Sequence, residues 1–134
     1  MEPDPQALIA QARECLEGAY APYSRFKVAA AVLDEQNRLF TGVNVENLSY
    51  GLSMCAERVA IYAAVAAGAR RITAIAVTSS TAELLSPCGA CRQVIAEFAA
   101  GDVPVYCDAP GMPHRWTVAE LLPSGFAASR LGKG

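Results

Sequence analysis

The sequence predicts an α/β fold built as one domain. Three observations predict it. Strand-like apolar runs alternate with helical stretches through the second half of the chain, an apolar run, polar turn and second run near the front read as a hairpin, and 134 residues suffice for one core but not for a second independent one. Residues 1–134 are therefore taken as a single domain.

Asp4 before Pro5 marks the start of a first helix, with Leu8, Ala12 and Cys15 or Leu16 on one face and Gly18 as the stop. Ala19 to Arg25 reads as a loop. Val28 to Leu33 is a continuous apolar run ended by the polar turn Asp34 to Asn37, and Arg38 to Val45 returns as its hairpin partner. A long helix is expected from near Ser53 to Gly68, without a charge between Arg58 and Arg70. A helix apolar on every side is buried on every side, either at a subunit interface or sandwiched inside one subunit. Ile72 to Thr78 is a third strand, Ser86 to Ala100 a helix stopped by Gly101, and Val103 to Cys107 a fourth strand, which implies parallel pairing from the third strand onward. The only histidine, His114, falls in the polar stretch Pro110 to Arg115 and is expected to be a solvated loop residue. Thr117 to Glu120 has the form of a capping box opening a short helix that Pro123 ends, and an extended tail follows from Ser124. There is no internal repeat, low-complexity segment or linker.

Composition narrows the function. An apolar content of 53% is high for a small protein surrounded by water, so another subunit is expected to cover part of the surface. No run approaches the ~20 apolar residues that span a bilayer, and the opening MEPDPQALIA lacks the basic and apolar regions of a secretory signal, so a cytoplasmic protein without a membrane partner is expected. A net charge of −2 argues against nucleic acid as a partner and for a small, weakly charged substrate. Five cysteines cannot all pair within one chain, and C-x-x-C in a reducing compartment points to metal or redox chemistry.

Cys55-Ala56-Glu57 and Pro87-Cys88-Gly89-Ala90-Cys91 both fall at helix starts. With Ser53 and Ser86 as N-caps, Cys55 and Cys88 each occupy a first turn, where free N–H groups and the helix dipole favour a thiolate; Cys91 shares a helix face with Cys88. Three thiolates can then meet one zinc ion at the ~2.3 Å of a zinc–sulfur bond. A structural site would be closed by a fourth protein ligand, and none is well placed, because Cys15 and Cys107 read as small core residues. The C-x-x-C alone is equally a redox pair or half a zinc ribbon. Glu57 changes the weighing: a carboxylate in the first turn of an apolar helix, two residues from a ligand, is costly unless it has chemical work. Three thiolates leave Zn²⁺ at a formal charge of −1, and Arg58 is the candidate to offset it by donating to the sulfurs; the alternative is a surface ion pair.

These motifs resemble the small homotetrameric zinc-dependent cytidine deaminases along nearly the whole chain. The resemblance rests on Ala19 to Phe26, Gly42 to Asn47, Cys55 to Arg58, Pro87 to Gln93 and Glu120 to Pro123. It implies a three-layer α/β/α sandwich around a five-stranded mixed sheet, one zinc per subunit, and sites completed by neighbouring subunits. Asn44 and Glu46, two apart at a strand end, point to one side; the resemblance makes them ribose ligands, whereas the residues alone fit a polar strand end facing water equally well. It also makes Phe26, otherwise an ordinary core aromatic, a platform for the pyrimidine, sets the backbone at Ala56 to read the base edge, and brings Tyr50 and Phe126 across subunit interfaces. The related blasticidin-S deaminases share several of these segments; Asn47, Tyr50 and Arg58, with Phe26, match the cytidine enzymes better.

The implied chemistry is hydrolysis of cytidine or 2′-deoxycytidine to uridine or deoxyuridine and ammonia by a zinc-bound hydroxide, with Glu57 moving the protons. The competing readings are another small-molecule amine deaminase of the blasticidin-S type, a non-enzymatic zinc module, an enzyme editing polynucleotides, and a redox protein using Cys88 and Cys91.

Overall fold

The computed structural model describes residues 2–81, 84–109 and 112–125. Among them the chain forms helices α1 (Pro5–Glu14), α2 (Ala56–Ala66), α3 (Gly89–Phe98) and α4 (Val118–Leu121) and strands β1 (Val28–Asp34), β2 (Leu39–Val43), β3 (Ile72–Ser79), β4 (Pro104–Cys107) and β5 (His114–Thr117). The strands make one sheet in the order β2-β1-β3-β4-β5, and β3 with β4 is its parallel pair, with α3 in the crossover, as the alternation of elements requires. The other three pairings are antiparallel, so the sheet is mixed.

Neighbouring residues of one strand serve opposite layers. Ala29, Ala31, Ala74, Ala76 and Tyr106 pack with Leu8, Ile9, Ala12 and Leu16 of the α1 segment, and the alanines keep that face low enough for a helix to lie close. Ala30, Val32, Ile75, Val77 and Val105 face the other way, onto Ile61 and Ala64 of α2, Ile95 of α3 and Leu121 of α4. Burial on both faces is why the first strand reads as an unbroken apolar run and the third carries Ala74 to Val77 without a polar residue.

The helix ends follow local chemistry. Asp4 caps α1 by accepting from the Gln6 amide, with Pro5 as first helical residue. Gly68, at φ 101°, takes the left-handed turn that ends α2. Thr117 and Glu120 cap each other's backbone amides and open α4 as the sequence requires. Among the described residues, no helix is long and apolar enough to cross a membrane.

One expectation is corrected and one alternative is removed. His114 is exposed but begins β5 rather than lying in a loop, with its ring edge against Trp116 at 4.5 Å; the edge strand carries exposed polar residues and so lacks an apolar run. The α2 helix is not buried on every side within the chain. Ala56, Glu57, Ala60, Ile61 and Ala64 are inside, while Tyr62, Ala63 and Ala66 face outward, so a helix sandwiched within one subunit is excluded.

What fixes α2 on the sheet is Gly42 in β2. A Cβ there would lie 2.7 Å from the Ala56 carbonyl oxygen and closer still to the Ala60 amide, both helix backbone atoms that cannot swing aside. Gly42→Ala should therefore lower unfolding free energy by the ~1–3 kcal/mol of an overpacked contact, read from the denaturant midpoint at constant slope. An unchanged midpoint would show that the helix yields freely.

Candidate metal centre and active site

The starts of α2 and α3 deliver three thiols to one point. The sulfurs of Cys55, Cys88 and Cys91 all lie within 4.8 Å of one another. Cys55 and Cys88 are 3.8 Å apart, which is about the edge of a tetrahedron with ~2.3 Å zinc–sulfur bonds, so this donor set fits the ion. Among the described residues no fourth side chain joins the group. Cys15 is half-buried on the α1 side and its thiol meets the Ala12 carbonyl, while Cys107 is buried at the end of β4, where its sulfur accepts from the Leu85 amide at 3.0 Å.

Cys55 and Cys88 are the N-caps themselves, not first-turn residues behind serine caps. Before α2 the chain is held extended by the bridge between Met54 and Val45, and Ser53 accepts from the Asn47 amide instead of capping. Before α3 the Ser86 hydroxyl is taken by Arg92, and the Cys88 sulfur accepts from the Cys91 amide at 3.5 Å. Both sulfurs thus stand where helix N–H groups are unpaired and the dipole is positive.

The thiols act on one another. Cys55 is pulled down to about 5, chiefly by accepting from Cys91 and further by Arg58, while Cys91 is pushed up because it is the donor in that contact and is buried. Arg58 donates from Nη2 to the Cys55 sulfur at 3.4 Å, and the contact with that sulfur holds its proton firmly. Its Nε is buried with no partner among the described residues, so one donor of the guanidinium remains unused.

Glu57, one residue before Arg58, is 4% exposed. Burial pushes its carboxyl up to about 7, and the Cys55 thiolate adds to the rise. A carboxyl that titrates near neutrality can both take and give a proton. It lines a cavity of about 240 Å³ together with Phe26, Asn44, Glu46, Cys55, Ala56 and Cys88. A larger groove of about 770 Å³ lies elsewhere; of its four carboxylates, Asp34 and Glu2 are paired with Arg38 and Arg115 and Glu35 accepts from the Arg70 and Arg71 amides, and it holds no thiol.

Of the residues singled out from the sequence, Tyr50 stands apart. It is 76% exposed, edge-on to Tyr23, in an adjoining cavity that shares Glu46 and Ser53 with the first. Phe126 lies outside the described residues. Asn44 and Glu46 are not an idle polar strand end. Asn44 donates to the Phe26 carbonyl and accepts from the Val28 amide, both at 2.9 Å, while Glu46 accepts from the Tyr23 and Ser24 amides at 3.0 Å and from the Ser24 hydroxyl. Together they hold the loop that presents Phe26, which turns through Arg25 at φ 60°, a left-handed conformation uncommon outside glycine. Val28, Ser53, Met54, Leu85 and Ser86 also line the cavity and were not expected there; for all but Val28, a place within three residues of Cys55 or Cys88 was the available signal.

The family model for the cytidine and deoxycytidylate deaminase zinc-binding region matches residues 2–107. The cytidine deaminase of Halalkalibacterium halodurans is 48% identical over 126 residues, 93% of this chain and 96% of that one. That of Sporosarcina psychrophila is 46% identical over 129 residues, 96% and 95% of the two chains. The crystal structure of the Burkholderia pseudomallei cytidine deaminase superposes with a TM-score of 0.86 at 44% identity, covering 92% of this chain and all of the other (100%). With a three-thiol cluster at two helix starts, a buried carboxyl beside it and likeness along nearly its whole length, the chain belongs to the zinc-binding cytidine and deoxycytidylate deaminase family.

Proposed function

We propose that the protein hydrolyses the exocyclic amine of cytidine and 2′-deoxycytidine, giving the uridine nucleoside and ammonia, as a single cytoplasmic domain. The observation that carries this reading is Glu57, a buried carboxyl raised to about 7 at the wall of a cavity of nucleoside-base size and adjacent to the thiol cluster. Cys55, Cys88 and Cys91 would hold one zinc ion, which supplies Lewis acidity that eases ionisation of water.

Glu57 takes a proton from the attacking water and delivers it to ring N3, which makes C4 electrophilic. It then passes the remaining hydroxyl proton to the amine, so that the C4–N bond breaks and ammonia leaves; no proton is gained or lost overall. Phe26 supplies a face for the pyrimidine, Asn44 and Glu46 the polar wall for the sugar, and the Ala56 backbone a reader of the base edge. Arg58 offsets the negative charge of the sulfurs.

Purified protein offered cytidine, deoxycytidine, cytosine, adenosine and blasticidin S should release ammonia, with the ultraviolet change of deamination, from the first two. Turnover of blasticidin S alone would overturn the assignment in favour of the related branch.

Glu57→Gln should keep metal and fold but lose about 10²-fold or more in kcat, the usual scale of general acid–base catalysis. A zinc-loaded mutant of near-normal rate would remove Glu57 from the mechanism. Alanine in place of Cys55, Cys88 or Cys91 should in each case reduce bound zinc from one per subunit to near none and lower the melting temperature, since the ion ties two helix starts together. Stoichiometric zinc in any of the three would strike that cysteine from the ligand set.

The same reading includes assembly as a homotetramer whose sites are completed by Tyr50 and Phe126 of neighbouring subunits. Its support is the exposure of Tyr50 in the adjoining cavity, of Leu48 and Leu52 two residues to either side of it, and of Tyr62 on α2, apolar surface that a lone subunit leaves in water. Sedimentation should show a tetramer at micromolar concentration, and Phe126→Ala should weaken kcat/KM by the ~0.5–1.5 kcal/mol of an aromatic contact with zinc unchanged. A folded, active monomer would end the shared-site idea.

A further inference from the structure

The Pro87 to Gln93 motif contains an arginine, Arg92, that does not line the cavity. It sits in the first turn of α3, where a cation opposes the helix dipole, and among the described residues no carboxylate lies within ion-pair distance of it. Its acceptors are all neutral. Nε donates to the Pro87 carbonyl at 2.8 Å, Nη2 to the Ser86 hydroxyl at 3.1 Å, and Nη1 to the Leu121 carbonyl at 2.9 Å. A charge placed against the dipole and left without a counter-ion is retained for its donors, and only the planar guanidinium fork reaches three acceptors at once.

Those acceptors matter because of what they hold. Among the described residues, 84–87 make no backbone-to-backbone hydrogen bond; the preceding one is from Ser80 to Lys27 and the next is from Arg92 to Cys88. Yet Leu85, Ser86 and Cys88 line the cavity. The segment is fastened from behind by the Leu85 amide on the Cys107 sulfur and by Arg92. The third arm of Arg92 reaches Leu121, the last residue of α4.

We infer that Arg92 is a positioning residue: acting through Ser86, Pro87 and Leu121, it sets the cavity wall and the approach of Cys88 to the metal, and ties both to the end of α4. Its kinetic consequence rests on the deaminase reading above; its consequence for metal retention does not.

The test uses the full zinc-loaded chain as wild type, Arg92→Lys and Arg92→Ala, with two readouts. In steady-state cytidine deamination, Arg92→Lys should lose about 10-fold and Arg92→Ala approaching 10²-fold in kcat/KM, the scale of a displacement of about 1 Å in a site. Millimolar guanidinium, but not sodium chloride at equal ionic strength, should restore part of the Arg92→Ala loss. Independently of any substrate, zinc transfer to a chromophoric chelator should be about 10-fold faster from Arg92→Ala and faster from Arg92→Lys than from wild type, as for other groups that orient metal ligands. Arg92→Lys within twofold of wild type in both readouts, or guanidinium without effect on Arg92→Ala, would overturn the inference. If Arg92→Ala does not fold, Arg92→Lys decides. If the wild type itself leaves cytidine unchanged, the functional reading falls and zinc transfer alone decides the role of Arg92.

Discussion

Two helix N-termini must point at one spot, and most of the molecule follows from holding them there. Each helix brings about half a positive charge and several unpaired amides to its start. With a cysteine at each N-cap and a third thiol one turn into α3, those starts form a ready cradle for anionic sulfur. The cradle exists only if α2 lies close on β2, which Gly42 permits by lacking a Cβ. It also requires that α3 follow β3 and lead into β4 as the crossover of the parallel pair, so that both helices cover the same face of the sheet.

The other half of the cavity hangs on three residues past the end of β2. Val45 bridges Met54 on one side, keeping the entry to α2 extended, and Tyr20 on the other. Asn44 and Glu46 then fasten the backbone of residues 23–28, so Phe26 is held by long-range polar contacts rather than by an element of its own. One short stretch thereby fixes the metal side and the substrate side of the site in a single frame. A role in binding sugar and a role in building the loop are compatible for Asn44, whose amide has used one donor and one acceptor and keeps a second of each.

Local signals in the sequence were strong where the chemistry is local. Asp4-Pro5, the Thr117–Glu120 capping box, the hairpin turn after Leu33 and the three-residue spacing of Cys88 and Cys91 all act within a few residues, and each could be read directly. What could not be read depends on partners far along the chain. Ser53 and Ser86 have cap-forming side chains, but Asn47 and Arg92 claim their hydroxyls and the caps pass to cysteine. The fifth strand carries no apolar run because it lies at the sheet edge and answers only to β4. The loop grip of Asn44 and Glu46 joins residues about twenty positions apart through side-chain-to-backbone bonds that leave no periodic trace.

The adjacency of Glu57 and Arg58 resolves an electrostatic conflict. A proton shuttle needs a carboxyl near neutrality, whereas three sulfurs around a divalent ion need a nearby cation, and a cation close to the carboxyl would drive it back toward the ordinary range. Successive residues on a helix are rotated by about 100°, so one can face the cavity while the next faces the sulfurs. The guanidinium is spent on Cys55, which it helps to hold ionised. On Glu57 its attraction is the weakest of the influences, outweighed by burial and also exceeded by the repulsion from Cys55. One step along α2 therefore separates the group that steadies the metal ligands from the group that moves protons, and the same helix start serves both without either cancelling the other.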